Sequence, residues 1–444
     1  MGDDQHPSSS GNTCPALSLP VEITSEIFLH CIAPADILCE PANPSDRPPV
    51  VLTRICRDWR LIVLSMPKLW SDVRLEFGGS HGIRRGCIDS WWVSFLETWF
   101  SRAEDQPLTM IISNLNQNPD DRLIGLLDLH RSQWQNLTLR LPFNTFYLFK
   151  ALESTLPMLE RLVLEAHGIP RFVDTPINTF QLAPMLNHVS LGGYLRPSYL
   201  ILPWNQLTSV ELTAARAEDC LECLRGAPKV VECSFGIVEG MASLRPVPAR
   251  PHLRTLTVSG ASPTAIFPYT TMPALEELNL VGRSLNTEDL SHISFFVSRS
   301  RCQLRRLRLH FISELLTTPA IQLLEALPSL ERCELAATEA KTITTLFSSL
   351  CGDSKFLPQL QNLSISHHRI SDSNMVSMFE AMANMLIYRG LRTPEHVQLH
   401  SFALAMQCEE TAPPMWVKCT LQELVDGGMN LDIRNRYERC LYLI

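Results

Sequence analysis

The sequence predicts an α/β protein: a short helical head at the N-terminus, then a long solenoid of parallel strands with helices on its outside. Three observations carry this. A six-residue phrase, apolar-x-x-apolar-x-apolar, recurs through the last two thirds of the chain. Prolines stand two residues ahead of many copies, at 157, 184, 273, 328 and 358, where a proline ends a helix and starts the turn into a strand. Ahead of the first copy lie two amphipathic segments with helical, not strand, periodicity.

The polar, acidic opening (residues 1–17) reads as a disordered leader, and the head spans 18–77. Pro20 suits the start of a helix, where its fixed φ helps and its missing N–H costs nothing. Beyond it Ile23, Ile27 and Cys31 recur at i, i+4 and i+8, with Phe28 and Ile32 widening the stripe. After a proline-rich interruption over 33–49, a second helical pattern runs through Leu52, Ile55, Trp59 and Ile62 until Pro67 stops it. Two helices this short cannot bury both apolar faces on each other, so part of that surface needs another partner.

These residues also carry a resemblance. Leu19, Pro20, Glu22, Ile23, Ile27 and Phe28, then Ile55, Cys56, Arg57, Trp59 and Arg60, then Pro67, Leu69 and Trp70 form an LP-x-E-I opening, a C-R-x-W-R core and a P-x-L-W close. The pattern resembles an F-box, and more closely the F-box-like segments that head many fungal proteins with irregular leucine-rich tails. The resemblance implies a helical module that docks on the Skp-type adaptor of a cullin–RING ubiquitin ligase. It assigns adaptor contact to Leu19, Pro20, Ile23, Ile27, Phe28, Ile55, Cys56, Trp59, Leu69 and Trp70.

Residues 78–133 read as a linking layer of helix and strand. In it Trp92, Phe95 and Trp99 with Trp91, Leu96 and Phe100 form a broad aromatic stripe at helical spacing, which is core in most proteins. Pro107 then introduces a short strand, LTMIIS.

From 134 to 444 the repeats take over. The phrase starts at residues 159, 186, 207, 230, 253, 275, 304, 330 and 360, giving intervals of 27, 21, 23, 23, 22, 29, 26 and 30. That range nearly matches the roughly 20–29 residues of leucine-rich repeats. One unit buries nothing useful alone; stacked units make a continuous apolar core. The asparagine that usually follows such strands is missing, so other groups must close the turns. Helical runs fall at 321–327 and 343–350. A last helix through Val425, a Gly427-Gly428 stop and a strand over Met429–Ile433 form a terminal cap.

Composition excludes several classes. With 45% hydrophobic and 19% charged residues the chain is globular, and a formal charge of −8 argues against non-specific nucleic-acid binding. No run of about 20 apolar residues marks a membrane span. The N-terminus is neither a secretory signal nor a transit peptide, so the 14 cysteines are expected to be intracellular thiols, in a cytoplasmic or nuclear protein. The one C-x-x-C, Cys220 to Cys223, lacks a second ligand pair for zinc. No Gly-rich phosphate loop, nucleophile elbow or paired catalytic carboxylate stands out. The expectation is a non-catalytic protein with no catalytic residues, no cofactor and no metal.

Binding is the function left. Strand alternation turns the residues flanking each central apolar position to solvent, and places Arg306, Arg308, His310 and Arg332 together on the sheet face. Guanidinium groups hold carboxylate or phosphate in a bidentate way, so this cluster is the candidate client-binding site, with Glu331 and Glu334 as nearby counter-charges. The reading is a substrate receptor of a Skp–cullin–F-box ligase; the competing one is an interaction scaffold whose head merely caps the solenoid.

Overall fold

The computed structural model describes residues 19–32, 48–76, 90–113, 121–146, 155–168, 176–239, 244–283, 287–311, 318–337, 340–367, 374–391, 396–406 and 413–435. The leader 1–17 and most of the 33–49 interruption lie outside them. The chain divides into two compact units, residues 1–161 with 182–185, and 162–181 with 186–444.

The first unit begins with helices α1 (Val21–His30) and α2 (Arg57–Leu64), joined through a 3-10 turn at Val51–Arg54 and closed by another at Pro67–Trp70. Then come β1 (Asp72–Glu76), α3 (Ser90–Ala103), β2 (Leu108–Ser113), α4 (Asp121–Leu129) and β3 (Trp134–Pro142). Strands β1, β2 and β3 pair in parallel, Val73 beside Met110 and Met110 beside Leu137. Parallel pairing therefore starts at Asp72, ahead of residue 134, where the repeated phrase suggested it. Of the aromatic stripe, Leu96, Trp99 and Phe100 are buried and Phe95 is half-buried, with Val93 buried beside them; the side chains of Trp91 and Trp92 are not among those described.

The second unit is solenoid-like. Its strands are β4 (Arg161–His167), β5 (His188–Gly193), β6 (Ser209–Arg216), β7 (Glu232–Glu239), β8 (Thr255–Gly260), β9 (Glu277–Gly282), β10 (Arg306–Phe311), β11 (Arg332–Ala337), β12 (Asn362–His367), β13 (Ser401–Met406) and β14 (Asn430–Arg434). They lie side by side in sequence order, and every recorded pair from β5 onward is parallel. The two inward positions of each phrase are buried, from Leu162 and Leu164 through Leu278 and Leu280 to Leu363 and Ile365. At about 1.5–3 kcal/mol for each large apolar side chain taken from water, this column is the main source of stability.

Interval length decides what covers the sheet. The intervals starting at 275, 304 and 330 hold α6 (Thr287–Ser300), α7 (Thr318–Glu325) and α8 (Ala340–Gly352). In the short intervals 3-10 turns such as Pro197–Tyr199 and Phe267–Tyr269 serve instead, with α5 (Ala217–Gly226) the one α-helix described there. Helices α9 (Met375–Gly390) and α10 (Met415–Asp426) finish the unit.

Backbone closes the turns that lack an asparagine. Ahead of each strand from β6 to β13 one carbonyl accepts from two successive N–H groups of the next unit. Asn187 O takes Thr208 and Ser209, Thr208 O takes Val231 and Glu232, Val231 O takes Arg254 and Thr255, and Arg254 O takes Glu276 and Glu277. Glu276, Arg305, Glu331 and Gln361 continue the same column. After the strands, Gly193 and Gly260 adopt φ of +68° and +115°, so that Tyr194 N and Ala261 N reach back to Ala166 O (3.1 Å) and Ile237 O (2.9 Å). Arginines do similar work on the outer side. The buried Arg389 donates to the carbonyls of Leu350 (2.9 Å), Leu357 (3.2 Å) and Phe356, tying α9 to the end of α8.

Candidate functional site

The head is built round two aromatic residues. Thr24 and Phe28 form the buried side of α1, and Phe28 meets Trp59 of α2 edge-to-face at 5.0 Å. Cys56 caps α2, its Sγ accepting from Trp59 N at 3.4 Å, and Arg60 Nε donates to Thr53 O at 2.7 Å, fixing α2 to the 3-10 turn before it. The side chain of Trp70 closes the module from below, its indole N–H donating to Val63 O at 3.1 Å.

The ten residues expected to contact an adaptor are thereby sorted. Leu19, Ile23, Ile27 and Ile55 are 41, 51, 44 and 53% exposed. Pro20 is exposed beside them, and Cys56 and Trp59 are half-buried. Phe28, Leu69 and Trp70 lie beneath these residues in the chain by itself. Each is 1% exposed, because the largest apolar side chains fill the junction between the two helices and the layer behind them. They support a surface and do not form it. Val21, Leu61 and Leu64 are exposed as well; Leu61 and Leu64, three residues apart on α2, share a face. The signal for them in the sequence is the unbroken apolar run Leu61–Leu64, which one packed face of a helix cannot bury whole.

The second candidate lies on the face of β9, β10 and β11. Register sets Arg306 between Glu277 and Arg332, and Arg308 between Asn279 and Glu334. The structure thus brings the three expected arginines together; His310 follows on the same face, opposite Val281. Arg306 Nε donates to Glu277 Oε2 at 2.6 Å, Arg308 Nε stands 3.3 Å from Glu334 Oε2, and Arg305 Nη1 is 3.0 Å from Glu331 Oε1. Arg332 makes no ion pair among the described residues. Partial burial raises the Glu277 carboxyl, but hydrogen bonds from Asn279 and Arg306 and the charges of Arg306 and Arg332 outweigh it and hold the group below the usual glutamate value. Glu277 is a third counter-charge beside Glu331 and Glu334, and strand alternation alone puts it on this face.

Elsewhere the chemistry is quiet. Cys220 and Cys223 are buried in α5 close to Cys233, and burial pushes all three thiols far up, which makes them packing groups and not nucleophiles. Among the described residues no three His, Cys, Asp or Glu side chains gather as metal ligands, and no helix is long and apolar enough to cross a membrane. No family model matches the chain, and no curated protein matches it.

Proposed function

We infer that this chain is a substrate receptor of the F-box-like kind, with a leucine-rich-repeat body. Its head docks on a Skp-type adaptor, and through it on a cullin, while the sheet face holds a client protein. The chain does no bond chemistry; it raises the effective concentration of client at the ligase. The observation that carries the reading is the exposure of Leu19, Ile23, Ile27 and Ile55 on a head whose interior is already filled by Phe28, Leu69 and Trp70. Exposed apolar side chains over a packed layer cost solubility unless a partner covers them, and these fall on positions that the F-box resemblance assigns to the adaptor.

One observation favours the scaffold reading. The tight seating of Trp70 is also what a pure cap requires. Co-expression separates the two: the full chain with a Skp-type adaptor yields a stable 1:1 complex on gel filtration if the head docks. Absence of a complex at micromolar concentration leaves the cap.

A further inference from the structure

We propose that residues 245–251 (RPVPARP) are a docking segment for a partner domain whose groove is lined by aromatic rings and flanked by carboxylates, the kind of groove that reads a polyproline II helix. The proposal is independent of the receptor reading, because the segment lies between β7 and β8, outside the head and the strands.

The first ground is conformation. The rings of Pro246, Pro248 and Pro251 fix φ at about −65°. The residue before each of them, Arg245, Val247 and Arg250, is pushed out of the helical region into extended backbone. The segment is thereby biased to polyproline II, which completes a turn every three residues. Burial follows that period. Val247, Arg250 and Leu253 are 7, 6 and 0% exposed, while Arg245, Pro246, Pro248, Ala249 and Pro251 are all exposed. The buried ridge is fastened to the next unit, Val247 N donating to Tyr269 O at 2.8 Å and Arg250 N to Thr271 O at 2.9 Å. The segment is therefore held extended before any partner arrives, which removes the ordering cost that a loose proline-rich chain would meet.

The second ground is what the outward ridges carry. Arg245, Pro248 and Pro251 recur at i, i+3 and i+6, which sets the two proline rings about 9 Å apart along one ridge. Aromatic side chains pack on such rings. Pro246 and Ala249 stand on the neighbouring ridge, and neither has the bulk to hold a groove away. The basic end is doubled. The guanidinium of Arg225 donates to Arg245 O at 3.1 Å, so two exposed cations stand at the start of the segment. Carboxylates on the partner's flank complement them. Val247 and Arg250 are turned into the body, with Arg250 Nη2 donating to Arg225 O at 3.4 Å, so the groove reads the two outer ridges alone.

The test sets the full-length chain against an array of purified SH3 and WW domains, with titration calorimetry on each domain that binds. The expected result is micromolar binding by at least one domain, weakening as salt is raised. R245E/P248A/P251A is expected to weaken that binding at least about tenfold. Its melting curve is expected to stay close to that of wild type, since all three side chains are exposed. A synthetic peptide of residues 243–253 is expected to bind the same domain more weakly than the intact chain, because it has to be ordered first. Binding by no domain in the array, binding that R245E/P248A/P251A leaves unchanged, or a peptide that binds more tightly than the folded chain would each overturn the proposal. The last result would mean that a groove needs the ridge of Val247 and Arg250, which the fold buries.

Discussion

The indole N–H of Trp99 donates to the backbone carbonyl of Trp70 at 2.8 Å, and the two rings meet edge-to-face at 5.0 Å. Arg102, one turn along α3, stacks its guanidinium over the Trp70 ring at 4.5 Å. Trp70 in turn reaches back to Val63. The end of the head and the first helix of the layer after it are therefore packed together through Trp70.

This fixes the cost of altering Trp70. W70A removes a fully buried ring with both contacts, and lowers stability by about 3–5 kcal/mol. W70F keeps most of the packing and loses the hydrogen bond to Val63, for about 1 kcal/mol. Urea unfolding measures both; equal effects would mean that the hydrogen bond, not the ring, holds the junction.

Gly260 is the second point of rigidity. Its φ of +115° disfavours any L side chain, and a Cβ there would stand 2.1 Å from Ile237 O. G260A is expected to lower stability by at least about 1–3 kcal/mol. G125A, at an exposed helical glycine with no atom within 4 Å of a new Cβ, is expected to gain up to about 1 kcal/mol. Thermal melts of the two variants check the pair, and a neutral G260A would show that the turn relaxes freely.

The body was legible in the sequence because its signal is local and repeated: Leu162 and Leu164, or Leu278 and Leu280, point inward by alternation alone. The turns were not legible, because the groups that close them are carbonyls such as Asn187 O and Arg254 O, which every residue carries. Strands β1 and β2 escaped the repeat count because they lack the full phrase and precede the regular spacing. In the head, periodicity shows which residues share a helix face but not which face is packed. Ile23 and Ile27 stand outside while Thr24 and Phe28, one position on, stand inside. The arginine cluster was legible from register; its pairing with Glu277 became plain only with β9 alongside β10.

Glu277 gives the sheet face a pH signature. Its carboxyl titrates below the usual glutamate value in the folded chain. Its contribution is therefore complete above the ordinary unfolded value near 4.5, and is lost as pH falls through the lower folded one. Wild type is expected to lose more stability than E277Q over that interval, with the two curves parallel above it. Unfolding midpoints at a series of pH values read this out, and parallel curves throughout would remove the ion pair from the account.

The measurement that bears hardest on the whole reading is adaptor capture by the full chain and by I23E/I27E. Both substituted positions are exposed, so the variant is expected to fold and melt as wild type does. The expected result is a 1:1 complex of wild type with a Skp-type adaptor and none with I23E/I27E. A wild-type chain that captures no adaptor, or a variant that captures it equally well, would contradict the assignment of this face as the docking surface.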